Sequence, residues 1–434
     1  MNNSNEFGAQ MLSWAQSLYP IPRSLTGDGV RETLGFLSEV TKGLRIHSVR
    51  SGSAVFDWAI PQEWKIRDAY IEHLDSGQRF AEFSKLNLHV VGYSEPIDLV
   101  MPLEQLSPRI YTQPDQPNWV PYVTSYYKRS WGFCMSEKEK ASLPSGDYRV
   151  FIDSELFDGE MLYADALIRG KSPKELFFSS YICHPSMANN ELSGPVLLAA
   201  LMNFIRNEIP EPRFSYRFVL VPETIGSLTY LSKHLDDLKA GVVCGFNLTC
   251  VGDNRSYTHV ESRLGGTLAD QALEAAFLGL SNASKYSFLN RDSDERQYCA
   301  PGIDLPVAAF NRSKPGKYPE YHTSADNFDV VTAEGLQGSF DVMSTIIRAF
   351  EGGLYPKAAV LGEPQLGKRG LYPTTSRKGS SDAIQARVNV LAYADGNHSV
   401  FEISNRTQLE LATVLNELEL LGKAGLIASH DETW

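Results

Sequence analysis

One stretch limits what this chain can fold into more than any other. Leu176-Phe177-Phe178-Ser179-Ser180-Tyr181-Ile182 is an apolar run of strand length, and it ends in Cys183-His184-Pro185. A short polar loop with Asn189, Asn190 and Glu191 follows, and Ser193-Gly194-Pro195 then opens a helical pattern of Val196, Leu197, Leu198, Ala199, Leu201, Met202 and Ile205. A continuously apolar strand that runs straight into a helix is the unit of an open α/β sheet covered on both faces. The carboxyl ends of such strands are where these sheets carry chemistry. His184, Asn190 and Glu191 are therefore a candidate metal-binding cluster.

The same grammar repeats downstream. Residues 213–221 read as a second strand and run into Pro222-Glu223-Thr224-Ile225-Gly226-Ser227, followed by a helix carrying Leu228, Tyr230, Leu231 and Leu235. Residues 241–251 read as a third strand ending at Gly252-Asp253. A helix over about 266–278 leads to Asp292-Ser293-Asp294-Glu295-Arg296. The strand 305–310 leads to Tyr318-Pro319-Glu320-Tyr321-His322-Thr323-Ser324-Ala325-Asp326, and a long helix from about Ala333 to Phe350 closes the unit. This alternation predicts a largely parallel central sheet. Polar residues recur just after strands: His184, Asn190, Glu191, Glu223, Asp253, Asp294 and His322. One such residue is ordinarily structural; several at one end of one sheet point to a single site.

The flanks differ in texture. Helical spacing over 7–18 and from about Val30 to Val40, with Thr26 or Asp28 as the N-cap of the second, predicts two helices covering the sheet. From about 45 to 170, short strand candidates (68–72, 87–93, 148–152, 160–168) separated by turns predict a mostly β insert. Its aromatic middle, Tyr122, Tyr126, Tyr127, Trp131 and Phe133, reads either as core or as the lining of a substrate cleft. Residues 353–380, including Thr374 to Ser380, read as a connector. Three helical patterns follow and resemble a winged helix-turn-helix. The third carries Glu410, Glu417 and Glu419 against Arg406. That charge is wrong for phosphate contacts, so protein contact or self-association into a homo-oligomer is expected in place of DNA binding.

Composition narrows the class. A net charge of −12 over 434 residues argues against broad binding to nucleic acid or anionic membranes. Five scattered cysteines without a CxxC pair read as reduced thiols. Met1 to Glu6 shows no signal-peptide pattern, and no apolar run approaches the roughly 20 residues of a membrane span. A cytoplasmic protein is expected.

Taken together, Cys183-His184-Pro185-Ser186 with Asn190-Glu191-Leu192-Ser193-Gly194, then Pro222-Glu223-Thr224-Ile225-Gly226-Ser227, Ser293-Asp294-Glu295-Arg296 and Tyr321-His322-Thr323-Ser324-Ala325-Asp326, resemble the zinc aminopeptidases of the M28 type. Nearly the full chain resembles bacterial aminopeptidase-like proteins with a DUF2172 insert and a C-terminal winged helix, the DUF4910 type. The resemblance implies an α/β peptidase core (1–50 and 169–352), a β-rich insert (51–168) and a connector with winged helix (353–434). It puts His184 and His322 where such enzymes have one histidine on each metal. Asn190, with Glu191 beside it, stands where they have a bridging Asp, and Glu223 matches their general base. Thr224 replaces a second, ligating Glu, and Thr249 aligns with a further Asp. With fewer carboxylates, the implied cofactor is one zinc in place of two, held among His184, Asn190, Glu191 and His322. Asp294 or Glu295, with Tyr321, is expected at the substrate, and Asp326 is expected to orient His322. The implied function is a zinc-dependent aminopeptidase-like amide hydrolase, acting on a peptide or a carbohydrate-linked amide. A non-catalytic ligand- or protein-binding protein on the same scaffold is the alternative.

Overall fold

An eight-stranded sheet runs through the middle of this computed structural model, which describes residues 6–372 and 380–428. Its strands are β1 (Arg45–Arg50), β2 (Glu160–Ile168), β3 (Glu175–Tyr181), β4 (Ser215–Val221), β5 (Val242–Leu248), β6 (Tyr257–Val260), β7 (Ala283–Tyr286) and β8 (Val307–Asn311). They lie in the order β1-β2-β4-β3-β5-β8-β6-β7. The four central strands β4, β3, β5 and β8 are mutually parallel. The pairs β1–β2, β2–β4 and β8–β6 are antiparallel. The sheet is thus mixed, with the parallel character confined mainly to its middle.

Every residue of β3 is buried, as its unbroken apolar run requires of a strand covered on both sides. Phe178 faces one layer, where it stacks on Phe218 (5.2 Å) and meets Phe246. That layer contains α1 (Glu6–Leu18), α2 (Asp28–Val40), α3 (Ser193–Glu208), α5 (Leu268–Phe277) and α6 (Ala333–Glu351). Phe177 faces the other layer, with α4 (Ile225–Gly241) and Tyr298. Gly27, not Thr26 or Asp28, precedes α2 as its cap. Thr26 Oγ1 is engaged elsewhere, with Tyr93 Oη (2.7 Å) and the Trp64 N–H (3.1 Å).

The insert forms its own four-stranded antiparallel sheet, ordered Arg79–Phe80, Glu63–His73, Asp147–Phe157, Ile97–Pro102. Ile71, Phe133, Tyr148 and Val150 are among its core. Two sequence readings need correction here. Glu160–Ile168, read as part of the insert, pairs on both sides within the central sheet. Residues 87–93 are not a strand. Asn87–His89 is a 3₁₀ turn, Val90 and Gly92 make only isolated bridges, and Tyr93 at φ 66° turns the chain out of extended geometry.

The C-terminal helices α7 (Ser380–Tyr393), α8 (Val400–Thr407) and α9 (Leu411–Lys423) enclose a small core of Val390, Ile403, Val414, Leu421 and Leu426. Val400, Phe401 and Leu411 also join the main core, and Asn405 donates to the Gln271 carbonyl (3.1 Å), which fixes α8 on α5. Met1 to Asn5 and the Thr374 to Gly379 part of the connector lie outside the described residues. Among the described residues no helix is long and apolar enough to cross a membrane.

Phe178→Ala removes a fully buried ring that helps join β3, β4 and β5. It is expected to cost about 3–5 kcal/mol in urea unfolding. A loss below about 1 kcal/mol would contradict this packing.

Candidate active site

The loops after β3, β4 and β8 converge at one end of the sheet, and each is held in unusual backbone geometry. After β3, Ser186 adopts φ 41° and Ala188–Leu192 form a single π-helical turn leading into α3. Such turns are rare and cluster at functional positions. After β4, Thr224 sits at φ 65°, ψ −73°, and the Ile225 N–H returns to the Glu223 carbonyl (2.8 Å). This is the rare, strained γ-turn of positive φ. It is secured by the Thr224 N–H donating to Asp294 Oδ1 (2.8 Å) and by Arg296 Nη2 donating to Thr224 Oγ1 (2.7 Å). His322, at φ 57°, is clamped to the insert: the Tyr122 N–H donates to the His322 carbonyl and the Ser324 N–H to the Val120 carbonyl, both at 2.9 Å.

His184 is the centre. Its Nδ1 and its backbone N–H both lie 3.0 Å from Glu191 Oε2, while Nε2 lies 3.7 Å from Glu223 Oε2. The His322 ring is 5.6 Å away centre to centre. Tyr122 stands edge-on to both imidazoles, at 5.3 and 5.2 Å. Tyr321 stacks flat on His322 at 3.9 Å, and the Tyr122 and Tyr126 hydroxyls are 2.9 Å apart. His184, Glu223, His322 and Tyr321 are therefore brought together as the sequence predicts.

Other predicted residues stand elsewhere. Glu191 lies behind His184, on the edge of the ring opposite Glu223, with Arg23 Nε 3.4 Å from its other oxygen. Asn190 Oδ1 accepts from the Tyr181 hydroxyl (2.9 Å). Asp326 does not orient His322: its carboxylate accepts the N–H groups of Asn189 (2.6 Å) and Asn190 (2.9 Å) and the Tyr318 hydroxyl (3.0 Å). Glu295 accepts from the Asp292 and Ser293 N–H groups and from Asn247 Nδ2. Asp294 gives Oδ1 to Thr224 and Ser227, and its buried Oδ2 has no hydrogen-bond partner among the described residues. Asp253 is filled by Asn189, Arg255 and Ser313. Arg23 is a residue beside the site to which the sequence reading gives no role, while Tyr122, which reads as core or cleft lining, stands over both imidazoles. Nothing local in the sequence marks Arg23, because its partners Glu191 and His184 lie on another element.

Electrostatics separate the groups. Burial, with help from the neighbouring His184, holds His322 down to about 3, so its imidazole is neutral with a lone pair available. Burial pushes Glu223 up, and His184 and Arg296 partly offset this. Burial and the nearby Glu223 push Asp294 up to about 7. Cys183 Sγ, His184 and Glu191 also lie within 4.8 Å of one another. Glu191 is committed to Arg23 and the His184 N–H, and burial keeps the Cys183 thiol up at about 11. On the opposite edge His184 Nε2 lies 3.7 Å from Glu223 Oε2, and the His322 ring is 5.6 Å from that of His184, nitrogen and oxygen donors of the kinds zinc takes.

The model of a family described as a domain of unknown function, DUF4910, matches residues 12–353, and a winged helix-turn-helix model matches residues 354–429. The chain belongs to the DUF4910 family. A Clostridium acetobutylicum protein, described provisionally as a polysaccharide biosynthesis protein with an aminopeptidase-like domain, is 38% identical over 98% of each chain. A crystal structure of a provisionally assigned peptidase from C. acetobutylicum superposes with TM-score 0.89 at 36% identity, over 98% of this chain and 97% of that one. The zinc aminopeptidase of Bacillus subtilis gives TM-score 0.57 at 12% identity, over 80% of this chain and 94% of that one, a likeness of fold alone. The expected α/β fold, with an M28-type core and a C-terminal winged helix, is what this DUF4910 member has.

A carboxyl whose pKa is raised on folding favours the folded state below its ordinary value near 4 and ceases to do so as pH rises past the raised value. For Asp294 that window runs up to about 7. In metal-free protein, Asp294→Asn keeps an acceptor for the Thr224 N–H. It should match wild type at pH 4 and melt higher than wild type at pH 8. Equal melting shifts at both pH values would refute the assignment.

Proposed function

We propose that this chain is a zinc-dependent amide hydrolase of aminopeptidase type, using one metal ion. The observation that carries the reading is the meeting of His184 Nε2, Glu223 and His322 from three different strand-end loops, with Glu223 3.7 Å from Nε2. His184 and His322 are the residues that would hold the ion. Zinc bound there would supply a Lewis acid and make a nearby water more acidic.

The chain's own groups divide the remaining work. Glu223 keeps 21% side-chain exposure, so it reaches solvent and substrate while burial raises its basicity. Its Oε2 takes a proton from the attacking water and returns it to the leaving nitrogen. Asp294, with Oδ2 unpaired, is the remaining acidic candidate for a substrate amino group. Tyr321 packs on His322 and fixes its ring plane. Arg296, 3.8 Å from Glu223 and bonded to Thr224, already supplies a cation beside the γ-turn, which supports one divalent ion over two. The relative linked to polysaccharide biosynthesis supports a carbohydrate-linked amide as substrate alongside a peptide.

A second reading, a binding protein without turnover, has a specific observation in its favour. Asn190, Thr224 and Thr249 stand where the M28 pattern has ligating carboxylates, and each is engaged in a hydrogen bond to another side chain.

Metal analysis of purified protein should return one zinc per chain. Glu223→Gln should keep the metal and lose about 10²–10⁴-fold in turnover on a panel of aminoacyl and N-acyl-sugar amides. Absence of metal and of turnover in wild type would overturn the hydrolase and leave the binding reading. Loss of zinc in the variant would make Glu223 a ligand.

A further inference from the structure

Glu191 and the residue behind it form the most deeply buried charge cluster at the site. Arg23 and Glu191 have no exposed side-chain surface, and Arg23 Nε lies 3.4 Å from Glu191 Oε1. The same Nε donates to the His184 carbonyl (3.1 Å), and Nη1 donates to the Leu18 carbonyl (2.7 Å) and to Thr33 Oγ1 (3.3 Å). Glu191 Oε2 in turn contacts both the backbone N–H and Nδ1 of His184, each at 3.0 Å. His184 is thus held at its carbonyl by Arg23, and at its N–H and ring nitrogen by Glu191.

A buried ion pair of this kind is a poor source of net stability, because removing two charges from water costs several kcal/mol per ion. What it supplies is geometry. A carboxylate on one ring nitrogen of a ligating histidine fixes the ring so that the other nitrogen faces the metal, and such partners tune metal affinity by about 10–100-fold. A buried carboxylate needs a fixed counter-charge to hold one orientation, and Arg23 is that counter-charge.

We propose that Arg23, in the segment between α1 and α2, is a positioning residue of the metal site, acting through Glu191 to aim His184 Nε2 at the face shared by Glu223 and His322. This rests on the reading that His184 ligates zinc. It also takes Glu191 out of the ligand set and makes it the intermediary. The segment between α1 and α2 then becomes part of the site, 161 residues from the histidine it orients.

The test compares wild type, Arg23→Lys, Arg23→Met and Glu191→Gln in the full chain. Zinc affinity is measured by competition with a chelating dye, and the visible spectrum is recorded after cobalt(II) loading. Arg23→Met should bind zinc about 10–100-fold more weakly and shift the cobalt spectrum. Arg23→Lys should recover part of both, because one ammonium cannot meet all three of the acceptors at Leu18, His184 and Glu191. If Arg23→Met fails to fold by near-ultraviolet circular dichroism, Glu191→Gln carries the test and should show the same loss. Folded variants with wild-type zinc affinity and cobalt spectrum would overturn the proposal and make Arg23 structural only. Wild type that binds neither zinc nor cobalt would overturn the metal reading first, and the proposal with it.

Discussion

Asp326 ties the first and last loops of the candidate site into one body. Its carboxylate is fully buried and accepts the N–H groups of Asn189 and Asn190 together with the Tyr318 hydroxyl. Buried N–H groups in a π-helical turn have no regular partners to fall back on, and leaving them unmet costs about 1–3 kcal/mol each. The turn that carries Glu191 toward His184 therefore depends on a residue more than 130 positions away. The same bond network brings the His322 loop alongside, because Asp326 lies only four residues beyond that histidine.

Backbone strain is present where the loops meet. Ser186, Thr224, Cys250 and His322 all occupy left-handed backbone that side-chain-bearing residues rarely adopt, each at a cost of order 1–3 kcal/mol. None of them is a glycine, so the side chains were kept despite that cost. Surrounding bonds hold them there: Asp294 and Arg296 on Thr224, and the Val120–Tyr122 segment of the insert on His322. The insert is thus more than decoration on a peptidase-like core. Its Tyr122 roofs both imidazoles, and its backbone fixes the loop from which one of them projects.

How much of this the sequence disclosed depends on the range of each interaction. The apolar run 176–182, its helix and the downstream alternation were legible, because hydrophobic period and turn residues are local signals. They located His184, Glu223 and His322 at strand ends. The mixed topology was less legible: β2 looks like any other strand of the insert, and only its pairing with β1 and β4 puts it in the central sheet. The roles of Glu191, Asp326 and Glu295 were misread for a further reason. Glu191 reads in sequence as a ligand, Asp326 as the partner of His322 and Glu295 as a substrate contact, whereas in space their carboxylates accept from backbone N–H groups, and Glu191 also faces Arg23. Arg23 itself follows Pro20 and Pro22 in an unremarkable turn, with nothing local to mark its partner.

Charge balance links the neutral residues of the site to its two arginines, Arg23 and Arg296. A site built for two divalent ions needs several carboxylates around them, and each buried carboxylate without its ion would be an uncompensated charge. Here Asn190, Thr224 and Thr249 are neutral, and a side-chain oxygen of each accepts from Tyr181, Arg296 and Asn311 in turn. Two of the carboxylates that remain close to His184 each face a cation of the chain, Glu191 with Arg23 and Glu223 with Arg296. Part of the negative charge around His184 is thus answered by guanidinium groups of the chain itself. The same arginines hold the loops in register, Arg23 by donating to the His184 carbonyl and Arg296 by donating to Thr224 Oγ1.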